Sequence, residues 1–138
     1  MKNIIMILLI SSALISCSSE VKSDHQGTII TTEAFKTIES IKEAYLKKNI
    51  ESIQSLATDD TFRLLKSQIK TFNEATLTFT PLWVETNDET IQVQMTWEGS
   101  WKQDKKTINE RGVVLFVLLP KTYKLSQILR SSPFILPE

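Results

Sequence analysis

The 138-residue sequence predicts an α+β domain, N-terminal helices packed on an antiparallel sheet. Three observations carry that reading. Apolar residues recur at helical spacing from Phe35 to Phe72, the period switches to two after Asn73, and no helical pattern returns before the end. Helices first and strands second, without alternation between them, is the signature of an α+β arrangement and not of a parallel α/β sheet.

The elements follow in order. Phe35, Ile38, Ile41, Ala44 and Tyr45 form one face of an amphipathic helix, with Lys36, Glu39, Lys42, Glu43 and Lys47 on the other. Thr32 is placed to cap its start, Lys47 and Lys48 suit its last turn, and Asn49 is placed to end it. A short helix turns Ile50, Ile53, Leu56 and Ala57 inward. Asp59 or Asp60 then caps a third helix carrying Phe62, Leu65, Ile69 and Phe72. Leu77 and Phe79 alternate with threonines in a first strand that Pro81 bends or confines to an edge, and Asn87-Asp88 makes a turn. Ile91, Val93, Met95 and Trp97 alternate strictly with Gln92, Gln94, Thr96 and Glu98, the pattern of a half-buried strand. Gly99 marks a bulge or bend, Gln103 to Lys106 a hairpin tip, and Val113 to Leu119 the return strand. Pro120 closes that strand, and Tyr123 to Ile128 forms the last one.

The first 31 residues stand outside this pattern. A lysine at position 2 precedes the apolar run Ile4 to Ile15, which gives out after about 12 residues where a membrane-crossing helix needs about 20. Residues 1–16 therefore read as an export signal. Leu14-Ile15-Ser16-Cys17 resembles the lipobox of bacterial lipoproteins, an aliphatic residue three places before a cysteine and a small residue directly before it. The resemblance implies cleavage between Ser16 and Cys17, diacylglycerol on the Cys17 thiol and acylation of the new amino group, which anchors the chain to a membrane. Ser18 in place of aspartate implies the outer membrane facing the periplasm, or the outer face of the plasma membrane in a Gram-positive source. Residues 17–31, polar at first and without sustained period, read as a flexible tether with a reach of roughly 20 Å, which leaves 32–138 as a single domain.

After the expected cleavage, 122 residues remain, with 15 basic against 16 acidic side chains. That length suits one hydrophobic core, and the near-neutral balance gives no footprint for nucleic acid. One histidine, His25 in the tether, and one cysteine supply neither a zinc set nor a nucleophile triad. No cofactor or metal is expected. Gly27, Gly99 and Gly112 are too scattered for a phosphate-cradling loop.

The order of elements from 32 to 134, with Tyr123-Lys124-Leu125-Ser126-Gln127-Ile128 where a Trp-Lys-Ile stretch often stands, resembles the nuclear transport factor two-like superfamily. That resemblance implies a cone, a strongly curved sheet wrapped around the N-terminal helix. Its enzymes, the isomerase-like and dehydratase-like members, use an Asp or an Asp-His pair inside the cone. Here the carboxylates to weigh are Asp59 and Asp60, which also suit helix capping, and Glu85 and Glu98, which lie beside aromatic strand residues where burial would raise a pKa. Alternation sets Glu98 opposite Ile91, Val93, Met95 and Trp97, on the solvent side.

Tyr45, Phe62, Phe79, Trp83, Trp97, Trp101, Phe116 and Tyr123 are candidates to line an apolar cavity or to fill a core. The segment from Val113 to Leu119 is apolar on both faces, so one of its faces needs a cover from outside the helices. Val114, Phe116 and Leu118 are the candidate interface for a second copy or an envelope protein, with Val113, Leu115 and Val117 as the alternate set. The sequence favours a non-catalytic anchored binder of an apolar small ligand or a partner protein. An isomerase or hydro-lyase with a carboxylate base in the cone, and an accessory scaffold in envelope assembly or secretion, are its rivals.

Overall fold

The computed structural model describes residues 22–136; the expected signal segment, Ser16, Cys17 and the first residues of the expected tether lie outside the described residues. Helix α1 (Lys22–Leu46) is followed by a 3₁₀ turn (Ile50–Ser55) and helix α2 (Asp59–Gln68). Four strands come next: β1 (Glu74–Thr86), β2 (Ile91–Gln103), β3 (Lys106–Leu118) and β4 (Leu125–Arg130). They form one antiparallel sheet in the order β1-β2-β3-β4, open at both edges. The expected α+β class is present.

Helix α1 begins ten residues before Thr32, so much of the segment expected to be a flexible tether is helical, including the position of His25. Thr32 is an interior residue of that helix, its Oγ1 donating to the Thr28 carbonyl at 2.8 Å, a local bond that removes it from capping. The weakest helix former on the way, Gly27, costs about 1 kcal/mol, which is too little to stop a 25-residue helix. The face toward the sheet carries Ala34, Ile38, Ile41, Ala44 and Tyr45, all buried.

Lys47 and Lys48 follow the last turn instead of standing in it. Lys48 has φ 58°. The Asn49 N–H donates to the Ala44 carbonyl and the Lys48 N–H to that of Tyr45, the two bonds of a Schellman stop. A lysine in this left-handed position is held by its own side chain, whose Nζ donates to the Asn73 carbonyl at 2.8 Å and lies over the Phe72 ring. Thr58, not Asp59 or Asp60, holds the N-cap position of α2, its hydroxyl donating to Thr61 Oγ1 at 3.0 Å instead of capping a backbone N–H, and the two aspartates stand in the first turn, where carboxylates favour the helix dipole. It stops at Gln68, so Ile69 and Phe72 lie beyond the helix that their spacing suggested, yet Phe72 is still buried.

Pro81 lies on an edge strand, as its missing N–H requires, and the register of β1 slips between Pro81 and Trp83. Asn87 Oδ1 accepts from the N–H groups of Glu89 and Thr90, closing the turn into β2. Strand β2 runs unbroken through Gly99, which contradicts the expected bulge. A Cβ at Gly99 would lie 2.3 Å from Cη2 of Trp101, so the glycine is there to let the Trp101 indole lie over the strand. Strand β3 is longer than expected, because Asp104-Lys105 forms a two-residue turn with Asp104 at φ 55° and pairing starts at Lys106. Strand β4 begins at Leu125, two residues later than expected, since Tyr123 at φ 55° belongs to the turn.

Register decides which face of β3 meets the helices. Ile91, Val93 and Met95 pair with Leu118, Phe116 and Val114, and all six are buried in the main core. Val114, Phe116 and Leu118 are thus interior residues and not an interface. The outward set is the alternate one, of which Val113 and Leu115 are half-buried and Val117 is buried.

Candidate functional site

The aromatic residues proposed as cavity lining divide into three places. Tyr45, Trp97, Trp101 and Phe116 are buried in the interior, where Phe79 packs against them from a half-buried position. Phe62 is buried on α2 under the Lys66 ammonium. Trp83 stands on the outer face of the sheet, 39% exposed, and Tyr123 sits half-buried in the β3–β4 turn.

The interior group is self-filling. Trp101 Nε1 donates to Tyr45 Oη at 2.8 Å in the buried core. Tyr45 packs on Phe72 and Phe134 with ring centroids 5.2 and 5.3 Å apart, and Phe134 also meets Phe79 and Phe116. Trp97 packs edge-on to Trp101 and donates from Nε1 to the Ser131 carbonyl at 2.9 Å. A Cβ on Gly112, the cross-strand partner of Trp97, would meet that nitrogen at 2.9 Å. Phe72 and Phe134 complete this cluster and were not among the sequence candidates. The signal for Phe134 was Phe-Ile-Leu set between Pro133 and Pro137, an apolar triplet after the last strand.

Burial pushes the Tyr45 phenol up to about 12, against a smaller lowering by the Trp101 N–H. The unfolded chain loses this proton near pH 10, while the folded chain keeps it until about 12. Between those values the unfolded state binds fewer protons, so stability falls as pH rises, by about 2 to 3 kcal/mol from this group. Urea titrations at pH 9 and pH 12 will show that loss in the wild type and a smaller one in Tyr45→Phe. Equal losses would refute it.

The four carboxylates of interest, Asp59, Asp60, Glu85 and Glu98, are all exposed. Asp60 pairs with Arg63 at 2.5 Å. Glu98 lies in a polar concavity of about 580 Å³ on the outer face of the sheet, with Thr76, Thr78, Ser100, Asn109 and Arg111. Among the described residues no group of three or more His, Cys, Asp or Glu side chains is placed to hold a metal ion.

Comparison with protein families, with curated proteins and with solved structures finds no match.

A second cleft, of about 450 Å³, lies between α2 and β4. Leu65 and Ile128 contribute to its lining, Leu64, Leu129 and Ile135 stand exposed in it, and its polar members are Asp60, Thr61, Gln68, Ser126, Gln127, Arg130 and Ser132. Three of the six exposed large apolar side chains of the described residues thus meet in one place. A row across the outer face runs into it, with Trp83 paired to Gln94, Gln94 to Leu115 and Leu115 to Leu129. The outer face is not apolar throughout, because Gln92, Gln94, Thr96 and Gln127 interrupt it. Its apolar part is concentrated on β3 and β4, beside the cleft.

Proposed function

We propose that this chain is a lipid-anchored envelope protein, non-catalytic, whose domain docks a partner protein at the α2–β4 cleft and the adjoining outer face of the sheet. The observation that carries this reading is the contrast between inside and outside. The aromatic interior is packed by the chain's own rings and hydrogen bonds, while Leu64, Leu129 and Ile135 gather in water around one cleft. Scattered exposed apolar residues need no explanation, but a cluster in a concave place marks an interaction surface.

The same contrast separates the rival readings. An isomerase or hydro-lyase of the nuclear transport factor two-like kind works with a carboxylate inside its cone, and here Asp59, Asp60, Glu85 and Glu98 stand exposed. An apolar small ligand would need the interior that Tyr45, Trp101 and Phe134 occupy. Membership of that superfamily is itself part of the proposal. It is supported by the order of elements, helices and then long hairpins, and a fold of this kind hosts binding modules as readily as enzymes. The anchor rests on Leu14-Ile15-Ser16-Cys17. Among the described residues no helix is long and apolar enough to cross a membrane.

A photo-crosslinking amino acid placed at Leu64 or Leu129 in cells, with Thr107 at the hairpin tip as control, tests the docking surface. Discrete higher-mass adducts are expected from positions 64 and 129 and not from 107. Equal adducts from all three positions, or none, would remove the proposal.

A further inference from the structure

The α2–β4 cleft runs along a sheet edge, and the hydrogen bonds of that edge show which backbone groups are open. Leu125 is occupied: its N–H donates to the Leu56 carbonyl and its own carbonyl accepts from the Thr58 N–H. The next carbonyl, of Ser126, accepts from Thr61 Oγ1 at 2.5 Å, which ties the start of β4 to α2. Register shifts at this point, between the Leu118–Leu125 and Val117–Gln127 pairs.

Beyond the shift, the Ser131 N–H donates to the Val113 carbonyl. Antiparallel pairing alternates, so Leu129 and Gln127 also turn their backbone groups toward β3, which leaves those of Ile128 and the N–H of Arg130 directed to the free edge. Neither residue has a backbone partner on that side among the described residues. Such an edge normally carries protection. Here the first half of β4 is covered by the 56–58 segment and Thr61, and the second half opens onto Leu64, Leu65 and Ile135. Arg130, exposed and at φ 69°, stands at the open end with no ion pair among the described residues.

We infer that the free half of β4 takes up an extended segment of a partner protein as a fifth strand, with alternate apolar side chains in the cleft and a carboxylate meeting Arg130. This rests on the reading of the domain as a protein-docking module and names the chemistry of its partner. Main-chain bonds to Ile128 and Arg130 supply register, and Leu64, Leu65 and Ile135 supply the apolar pocket, as in other strand-addition sites. The guanidinium selects for the acid. A basic segment is disfavoured there for the same reason.

The test uses the full chain in lipid nanodiscs and a fluorescein-labelled six-residue peptide of alternating valine and threonine ending in aspartate. Two relatives accompany it, one N-methylated at the residues that would face β4 and one ending in an amidated lysine. Anisotropy should show saturable binding of the parent, weakened about tenfold or more by N-methylation, as expected for the loss of two backbone hydrogen bonds. Arg130→Glu should move the preference from the aspartate to the lysine peptide. Leu64→Gln, on an exposed helix position, should weaken both without altering the circular dichroism spectrum. Equal binding of the N-methylated peptide, or no binding by any of the three, overturns strand addition. If adducts at 64 and 129 persist in cells in that case, the docking reading survives its loss. If the crosslinks are absent too, both fall. Concentration-dependent self-association that Arg130→Glu abolishes would make the occupant a second copy and overturn the peptide.

Discussion

Trp101→Ala is expected to destabilise the domain by about 3 to 5 kcal/mol, the range for removing a buried tryptophan. The indole is fully buried, and its loss also deprives Tyr45 Oη of its N–H donor at 2.8 Å. A buried hydroxyl without a partner costs about 1 to 3 kcal/mol, which places this variant toward the upper end. Gly99→Ala tests the same contact from the strand side. Its Cβ would lie 2.3, 2.7 and 2.9 Å from Cη2, Cζ3 and Cζ2 of the Trp101 ring, none of them a distance that real side chains keep. Since the ring is packed against Trp97 and bonded to Tyr45, it has no free direction in which to move. Overpacking of this kind costs about 1 to 3 kcal/mol or more. The two changes are coupled. In a Trp101→Leu background the clashing ring atoms are gone, and Gly99→Ala should then cost a few tenths of a kcal/mol, as expected for a contact removed from both sides. Urea denaturation of the four proteins measures the cycle. Additive costs, or a Gly99→Ala domain as stable as wild type, would show that the glycine serves something other than the indole.

How far the sequence could lead is clearest at β3. A two-residue turn at Asp104-Lys105 pairs Gln103 with Lys106, and counting back sets Met95 against Val114 and Val93 against Phe116. Side chains paired across an antiparallel ladder point to the same face, so the alternation of β2 together with the turn fixed Val114, Phe116 and Leu118 as interior. An apolar run by itself carried no such information, and reading it alone reversed the face. The start of α1 was hidden for a different reason. Helix propensity between Lys22 and Thr31 is unexceptional, Gly27 lies in the middle, and Ile29 stands exposed, so no apolar period announces the helix. Its continuation is a matter of propagation from the packed turns that begin at Ala34, where each added residue fixes one further hydrogen bond. The cleft was the least legible feature. Leu64 lies on α2, Leu129 on β4 and Ile135 just after it, and the bonds that tie α2 and the segment before it to the start of β4, Thr61 to Ser126 among them, are tertiary and encoded by no local pattern.

Cys17→Ser is expected to abolish lipid attachment altogether, because a serine hydroxyl does not accept diacylglycerol in place of the thiol. Attachment to acyl chains gains about 0.8 kcal/mol per buried CH₂, and a single chain holds only marginally, so the two or three chains that the lipobox resemblance implies separate a firmly bound protein from a freely released one. The position of α1 bears on what the proposed anchor would do. From Cys17 to Lys22 is five residue steps, at most about 18 Å when fully extended, and α1 is itself about 37 Å long if straight. The packed part of the helix starts at Ala34, so a helical segment lies between the proposed lipid site and the core where a freely coiling chain was expected. The α2–β4 cleft would then be presented by a stiff connection rather than a slack one, which favours a partner close to the same bilayer. Labelling with an alkynyl fatty acid, followed by membrane fractionation, checks the first step. Wild type should carry label and sediment with membranes, and Cys17→Ser should carry none and either remain uncleaved or appear in the soluble fraction. Equal label on both proteins would remove the anchor, and with it the placement of the cleft near a membrane surface.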